Sequence, residues 1–325
     1  MSLNIFVTGG TGFVGYYIVR RLLSAGHQIT VLARKENIKA RELQTIDPGV
    51  RVVYGDISDF DLLTEICLGQ DVIVHAAAIV SFDPSIKKHI LQTNVDGTIH
   101  LVNAALAASV KKFIYISSIS TLSHSIDDHH YKETIPWNPK INHSVYALSK
   151  HAAEMEVWRG SAEGLEVGIL NPSVVLGRWD STHHSMQLFE KMKKSIAFYP
   201  SGSTGWVDVR DVAESVHLYL EKCLVNEQII INGHNVSYRE VMNKIAKAFG
   251  KKSPRYALSK RVASVMGGFY TLFNRWPGNK GWLSSGIINS LYTPHFFDHS
   301  KSDELLGIQY HELDETIDWV IQSKY

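Results

Sequence analysis

An open parallel sheet with helices on both faces is the fold this chain predicts, and three observations predict it. Short, mostly apolar runs recur through the first half. Helical patterns fill the gaps between them. A glycine cluster, Thr8-Gly9-Gly10-Thr11-Gly12-Phe13-Val14-Gly15, stands where the first run gives way to the first helical pattern. Strands apolar on both faces and separated by helices belong in a parallel sheet covered on both sides. Its crossovers are right-handed by default, which makes the sheet doubly wound.

The elements follow in order. Leu3 to Val7 is a buried strand and Phe13 to Ala25 a helix. Further strands are expected over Gln28 to Leu32, Val50 to Tyr54, Asp71 to His75, Lys112 to Ser117 and Glu166 to Leu170. Helices are expected over Leu62 to Leu68, Lys87 to Ala108 and Tyr146 to Ala162. After Asn171-Pro172 the alternation breaks down. A helix around Met186 to Lys194 precedes a glycine-rich turn, Ser201 to Gly205. Val207 to Val209, a helix over Asp211 to Cys223 and a strand over Ile229 to Ile231 read as a return to the sheet. From Tyr238 the chain is helical and rich in aromatics, with Tyr256, Phe269, Tyr270, Phe273, Trp276 and Trp282. The expected division is therefore a nucleotide-binding unit over 1–171, rejoined by 206–232, interleaved with a smaller, mostly helical C-terminal substrate lobe over 172–205 and 233–325.

Composition excludes several classes. A formal net charge of +1 with no long run of like charge leaves no electrostatic footprint for nucleic acid. The two cysteines, Cys67 and Cys223, fall inside expected helices and read as small hydrophobes in a reducing compartment. The N-terminus reads as strand and glycine turn rather than a signal peptide, so a cytoplasmic location is expected. Val262 to Phe273, between Lys260-Arg261 and Arg275, is too short to span a bilayer. It reads as a helix over the substrate pocket in preference to one lying on a membrane surface. The sixteen histidines include the adjacent pairs His129-His130 and His183-His184. Neighbouring side chains point apart, so no metal site is expected.

The glycine cluster carries a mechanism. Glycine lets the backbone turn tightly and approach a ligand, and the following helix start presents N–H groups and a positive dipole end to a pyrophosphate. In this strand–turn–helix context that is a dinucleotide site, and the sheet is of the Rossmann kind. Tyr146-Ala147-Leu148-Ser149-Lys150 is the second feature. Four residues apart on a helix, Tyr146 and Lys150 share a face. A phenol with an ordinary pKa near 10 is a poor acid–base group until a neighbouring ammonium tunes it. Such pairs are common on surface helices, but here Ser117-Ser118 also closes the fifth strand. Ligands of open parallel sheets sit at strand carboxyl ends, where a serine hydroxyl can donate to a carbonyl oxygen.

Together these residues make the chain resemble an extended short-chain dehydrogenase/reductase of the NAD-dependent epimerase/dehydratase type. The matching motifs are Thr8 to Gly15, Asp56 in Tyr54-Gly55-Asp56-Ile57, His75-Ala76-Ala77-Ala78, and Asn94 in Thr93 to Thr98. Ser118, Tyr146, Lys150, Asn171-Pro172-Ser173 and Val207 to Val212 continue the series. The resemblance implies Tyr146 as catalytic acid/base, Lys150 as its tuner and ribose ligand, Ser118 as the group polarising the carbonyl, and Asn94 as holder of a water behind Lys150. It implies a cofactor site of Gly9, Thr11, Gly12, Phe13, Val14, Gly15, Asp56, Ile57, Ala76, Ala77, Ala78, Tyr146, Lys150, Pro172 and Ser173. It also implies a homodimer formed through the helices of Lys87 to Ala108 and Tyr146 to Ala162, although the alanine-rich face there suits sheet packing equally.

NAD sites usually place an acid at the end of the second strand. Here Ala33 takes that place, and Arg34 and Lys35 follow it. A guanidinium suits a 2′-phosphate, so NADP(H) is the expected cofactor, with NAD(H) the other option. Ile119 to Ser123 lacks the Tyr-Gly pair of sugar-nucleotide epimerases and the Asp-Glu pair of the dehydratases. Glu133 to Pro139, Asn171 to Gly177 and Asp298 to Lys301 resemble dihydroflavonol 4-reductase-like members instead. The resulting expectation is an NADPH-dependent carbonyl reductase acting on a small or medium apolar or aromatic ketone or aldehyde. A sugar-nucleotide or 3β-hydroxysteroid enzyme is the alternative. A non-catalytic NADP-sensing regulator is the third reading, disfavoured by the presence of Tyr146, Lys150, Ser118 and Asn94 together.

Overall fold

The computed structural model describes residues 2–34, 38–47, 49–124, 129–140, 143–180, 184–263 and 285–322. The first half alternates as β1 (Asn4–Thr8), α1 (Phe13–Ser24), β2 (Gln28–Ala33), α2 (Ile38–Ile46), β3 (Val50–Tyr54), α3 (Phe60–Cys67), β4 (Val72–His75), α4 (Lys87–Leu91), α5 (Gly97–Ala107) and β5 (Lys112–Ile116). Next come β6 (His130–Tyr131), α6 (Val145–Ala162), β7 (Glu166–Pro172), β8 (Val174–Leu176), α7 (His184–Lys193), β9 (Phe198–Tyr199), β10 (Ser203–Asp208), α8 (Val209–Glu221) and β11 (Glu227–Ile231). The chain ends with β12 (His234–Ser237), α9 (Tyr238–Ala248), β13 (Tyr256–Ala257), α10 (Ser285–Tyr292), β14 (Phe296–Phe297), α11 (Ser300–Leu306) and α12 (Leu313–Gln322).

Seven parallel strands form the main sheet in the order β11-β7-β5-β4-β1-β2-β3. The chain winds outward from β1 to β3, then returns to place β4 against the other side of β1. The strand order therefore reverses between β1 and β4, where a crevice opens at the carboxyl ends. Side chains alternate across each strand, so the sheet has two cores. Ile5, Val7, Ile29 and Val31 point to the face covered by α1 and α8. Phe6, Ile73, Phe113 and Tyr115 point to the face covered by α3, α5 and α6. A third cluster, including Phe189, Trp206, Ile245 and Ile317, joins α7, α9 and α12 away from the main sheet.

Three local differences from the sequence expectations have physical reasons. The long helix expected over Lys87 to Ala108 is divided into α4 and α5 by a π-helical turn, Gln92–Asp96. That turn contains Asn94, whose side chain is tied outside the helix. The segment Val207 to Val209 does not rejoin the main sheet. Its strand, β10, pairs with β8 and β12 in a separate three-stranded sheet, while β11 takes the edge beside β7. Helix α2 carries only Ala40 and Leu43 as buried residues, too thin an apolar stripe to announce itself in the sequence.

Among the described residues no helix is long and apolar enough to cross a membrane, and no group of three histidine, cysteine or acidic side chains is placed to hold a metal ion. Lys35, His183, the residues from 264 to 273, and the aromatics Phe269, Tyr270, Phe273, Trp276 and Trp282 lie outside the described residues.

Candidate active site

The glycine turn closes against the loop after β4 with no room for side chains. Gly9 has φ +72°, and a Cβ on it would lie 2.5 Å from the Ala77 nitrogen. A Cβ on Gly15, in the first turn of α1, would lie 2.1 Å from the Gly9 carbonyl oxygen. Gly12 donates its N–H to that same oxygen at 2.9 Å and caps α1 in an extended conformation. It brings no side-chain cap, and no acid stands in the helix's first turn. The N-terminus of α1 is thus a positive end with no acid in its own first turn.

A cavity of about 290 Å³ lies in front of this turn, at the β1/β4 reversal. Gly9, Thr11 and Gly12 form one wall, and Ala76, Ala77, Ala78 and Ile79 the other. Ala33 and Arg34 at the end of β2, with Asp56 and Ile57 after β3, close the far end. His89 of α4 and Thr93 of the π-helical turn complete the lining, and neither stands out in the sequence. Asp56 Oδ1 accepts from the Ser58 N–H (3.0 Å) and hydroxyl (2.8 Å). Those bonds hold its carboxyl below the usual range, and nearby Arg34 and His89 act in the same direction. Phe13, Val14 and Gly15 stand behind the cavity wall, where Phe13 packs edge-on against Tyr17. Pro172 and Ser173 lie buried at the end of β7, Ser173 donating its N–H to Ile231.

The second half of the site is built from buried side chains. Ser144 caps α6 by accepting from the Ala147 N–H (3.1 Å). One turn of helix then places Tyr146 and Lys150 on the face turned to β5. Tyr146 is almost wholly buried, and that burial raises its phenol to about 12. A hydrogen bond with the Ser118 hydroxyl works against that shift. Lys150 is buried too, and desolvation lowers its ammonium to about 7. Its Nζ donates to the Ile116 carbonyl (2.6 Å) and stands 4.0 Å above the Tyr115 ring. Ser118 starts the short turn after β5, accepting from the Ser120 N–H at 3.1 Å. The structure therefore brings Ser118, Tyr146 and Lys150 together. Burial dominates the phenol, and the expected lowering by Lys150 is not seen; a protonated phenol touching a hydroxyl, with an amine one helical turn along the same face, is suited to proton transfer.

Asn94 joins the two halves. Its Oδ1 accepts from the Ile79 N–H (2.7 Å), while Nδ2 donates to the Ile79 carbonyl (3.1 Å) and the Ser149 hydroxyl (2.9 Å). One carboxamide thus links the cavity wall to the residue preceding Lys150. Beneath lies His75, wholly buried at the end of β4. The Thr98 hydroxyl gives its proton to the Asn94 carbonyl (2.6 Å), so it accepts from His75 Nε2–H at 2.9 Å. His75 Nδ1 in turn accepts from the Thr8 hydroxyl at 2.7 Å, across the strand reversal. Burial, followed by the charge of Lys150, lowers His75 to about 3, so it is a neutral strut between β1, β4 and α5.

A model of the NAD dependent epimerase/dehydratase family matches residues 5–232, from β1 through β11. The chain belongs to this family. It is an NAD(P)-dependent enzyme of the short-chain dehydrogenase/reductase type, with a Rossmann-like sheet. It is 29% identical over 261 residues to a putative dihydroflavonol 4-reductase of Synechocystis, covering 78% of this chain and 75% of that one. It is 27% identical over 324 residues to a 3β-hydroxysteroid dehydrogenase/Δ5→4-isomerase of Mycobacterium tuberculosis, covering 94% and 86%. Among solved structures, gox2253 superimposes with a TM-score of 0.83 at 27% identity, over 98% of both chains.

Proposed function

We propose that this protein is an NADPH-dependent reductase of ketones or aldehydes on small or medium apolar or aromatic molecules. The observation that carries the reading is the buried Ser118–Tyr146–Lys150 group, joined by Asn94 to a cavity whose far end has Ala33 and Arg34 where an NAD-specific acid would stand. The similarity to a dihydroflavonol 4-reductase supports the carbonyl substrate.

The cavity suits a dinucleotide. Its glycine cradle is a place that a Cβ would fill, and its helix end carries no acid in the first turn. Gly9, Thr11 and Gly12 would hold the pyrophosphate, Asp56 and Ile57 the adenine, Arg34 with Lys35 the 2′-phosphate, and Ala76 to Ala78 the main-chain side of the cofactor. The bound nicotinamide supplies the hydride. The remaining chemistry belongs to the protein. Ser118 donates a hydrogen bond to the carbonyl oxygen and makes its carbon more electrophilic. Tyr146 gives its phenolic proton to that oxygen as the alcohol forms. Lys150 stabilises the phenolate that remains until solvent reprotonates it. Residues 1–171 with 206–232 carry this machinery in the proposal, and 172–205 with 233–325 shape the substrate site. The second reading, oxidation of a hydroxysteroid-like secondary alcohol, is favoured by the 3β-hydroxysteroid dehydrogenase similarity, which runs through the C-terminal lobe.

Titration of the protein with NADPH and NADH side by side tests the cofactor half of the reading. Wild type is expected to prefer NADPH. Arg34→Glu should weaken NADPH by about 10- to 100-fold, the equivalent of one lost charge-assisted bond, and leave NADH nearly unchanged. Equal affinities that ignore the substitution would overturn NADP specificity. A preference for NADPH would justify screening its oxidation against aromatic and aliphatic carbonyls.

A further inference from the structure

Glu154 is a buried carboxylate that the catalytic reading leaves without a task. It lies one turn of α6 beyond Lys150 and two beyond Tyr146, on the same helix face. Its side chain is 4% exposed. An ionised group seldom stays inside a protein without a use or a full set of partners. Here Oε1 accepts from the Thr121 hydroxyl (2.8 Å) and from Asn171 Nδ2 (2.8 Å). The Ser118 carbonyl lies within reach of both, 2.9 Å from the Thr121 hydroxyl and 3.1 Å from Asn171 Nδ2. Asn171 Nδ2 also lies 2.9 Å from the Thr121 hydroxyl, so one Thr121 proton and two Asn171 protons are shared among Oε1, the Ser118 carbonyl and the Thr121 oxygen. Asn171 is itself fixed by Gln228, whose Nε2 donates to its Oδ1 at 3.1 Å. The carboxylate thus sits at the centre of a network whose other end is the peptide of the carbonyl-polarising serine.

We propose that Glu154 is a positioning residue for the proposed reaction: it fixes the Ser118 main chain through Thr121 and Asn171, and it supplies the counter-charge to the buried Lys150 ammonium. The inference rests on the reading of Tyr146, Lys150 and Ser118 as the reacting group. Burial around Lys150 works against its charge, and the Glu154 carboxylate is the opposing influence, acting to keep the ammonium protonated. The same carboxylate discourages ionisation of Tyr146 and Tyr115. Other ionisable groups face this centre. His75 of β4 is neutral, and Tyr115 of β5 is held protonated. On the far side His151 Nδ1 stands 3.9 Å from Oε2. There Glu154 also borders a second cavity of about 160 Å³, which Glu133 shares. Burial raises Glu133, while the N–H it accepts from Ile230 and the charge of Lys301 act the other way.

The test uses the full chain and two readouts. In protein carrying ¹⁵N-labelled lysine, without cofactor, the Lys150 Nζ titration is followed by NMR and assigned by its loss in Lys150→Met. Glu154→Gln keeps the shape and one acceptor and removes the charge. It is expected to move the Lys150 titration to lower pH by about one unit or more, the effect of a near opposite charge. The alkaline limb of carbonyl reduction should move the same way, because reduction needs the protonated tyrosine and lysine. Glu154→Asp should restore most of both. Thr121→Val keeps the charge and loosens the anchor, so it should lower kcat without moving the limb. Lys150 titrating unchanged in a Glu154→Gln protein with wild-type melting would overturn the counter-charge. Unchanged kcat in Thr121→Val would overturn the anchoring. Were Glu154→Gln to melt early, the Glu154→Asp and Thr121→Val pair still decides. A Tyr146→Phe protein that turns over normally would sink the functional reading and leave the lysine titration standing.

Discussion

The proposed cofactor groove and the proposed proton-transfer site adjoin each other, yet they are built in opposite ways. The groove is made of main chain and small residues: Gly9, Gly12, Ala33 and Ala76 to Ala78 present backbone to an open cavity. The proton-transfer site is made of long polar side chains drawn inside, with Lys150, Glu154, Asn94 and His75 each almost wholly buried. In the groove, specificity is a matter of space, and a single added carbon is the sensitive change. In the proton-transfer site it is a matter of charge and hydrogen bonding, and an isosteric change that removes one polar atom is the sensitive one. Asn94 is the point of contact, one carboxamide binding the Ile79 wall on one side and α6 on the other.

The sharpest way to break this contrast is to remove one oxygen. Tyr146→Phe leaves shape and packing nearly intact and should lower kcat by about 10²- to 10⁴-fold, the usual worth of a positioned proton donor. Cofactor affinity by fluorescence titration should stay close to wild type, since the phenol is buried between α6 and Ser118. A variant that kept its rate would move the proton donor elsewhere.

Adding one carbon is the complementary test. In Gly15→Ala the new Cβ would meet the Gly9 carbonyl oxygen at 2.1 Å and its carbon at 2.7 Å, both backbone atoms that no rotamer change can move aside. The turn must shift, at a cost of about 1–3 kcal/mol in stability, as for other overpacked sites. Cofactor binding should weaken in the same variant, because the displaced atoms form the cradle. A lower melting temperature with unaltered cofactor affinity would show that the turn is packing alone.

What could be read from the chain follows the same division. Strands β1 to β5 and β7 are legible because mostly apolar runs between helices have few other solutions, and the glycine turn and the Tyr146–Lys150 spacing are local patterns. Glu154, Asn171 and Thr121 are not legible as a group, since they come from three elements that only the folded sheet brings together. Glu154 did leave a trace, as it continues the four-residue spacing of Tyr146 and Lys150. Asn94 is legible as a motif, but not the π-helical turn it occupies, because its bonds to Ile79 are tertiary. The C-terminal lobe was least legible. Its strands β8, β10 and β12 are short, and their pairing partners are set by the third cluster around Trp206 and Phe189 that no local pattern announces.

The mildest test asks whether the buried polar side is as intolerant of charge as its construction implies. His75 is held neutral, with its ring lowered to about 3 against an ordinary histidine near 6.5. The unfolded chain binds a proton below pH 6.5 that the folded one refuses. Stability therefore stays whole above that pH and falls as the pH drops from 6.5 toward 3, with a slope of up to about 1.4 kcal/mol per unit for one proton. His295, lowered to about 4 by burial and by His129 and His124, contributes with the same sign over a shorter window. His75→Gln keeps two hydrogen-bonding atoms and cannot take up the proton. It should cost some stability at pH 8 through imperfect bonds to Thr8 and Thr98, yet make the decline between pH 6.5 and 4 visibly shallower in urea unfolding. An unchanged slope would mean that the acid sensitivity resides in the lobe with His295, and that the strut beneath the active site tolerates charge better than its burial implies.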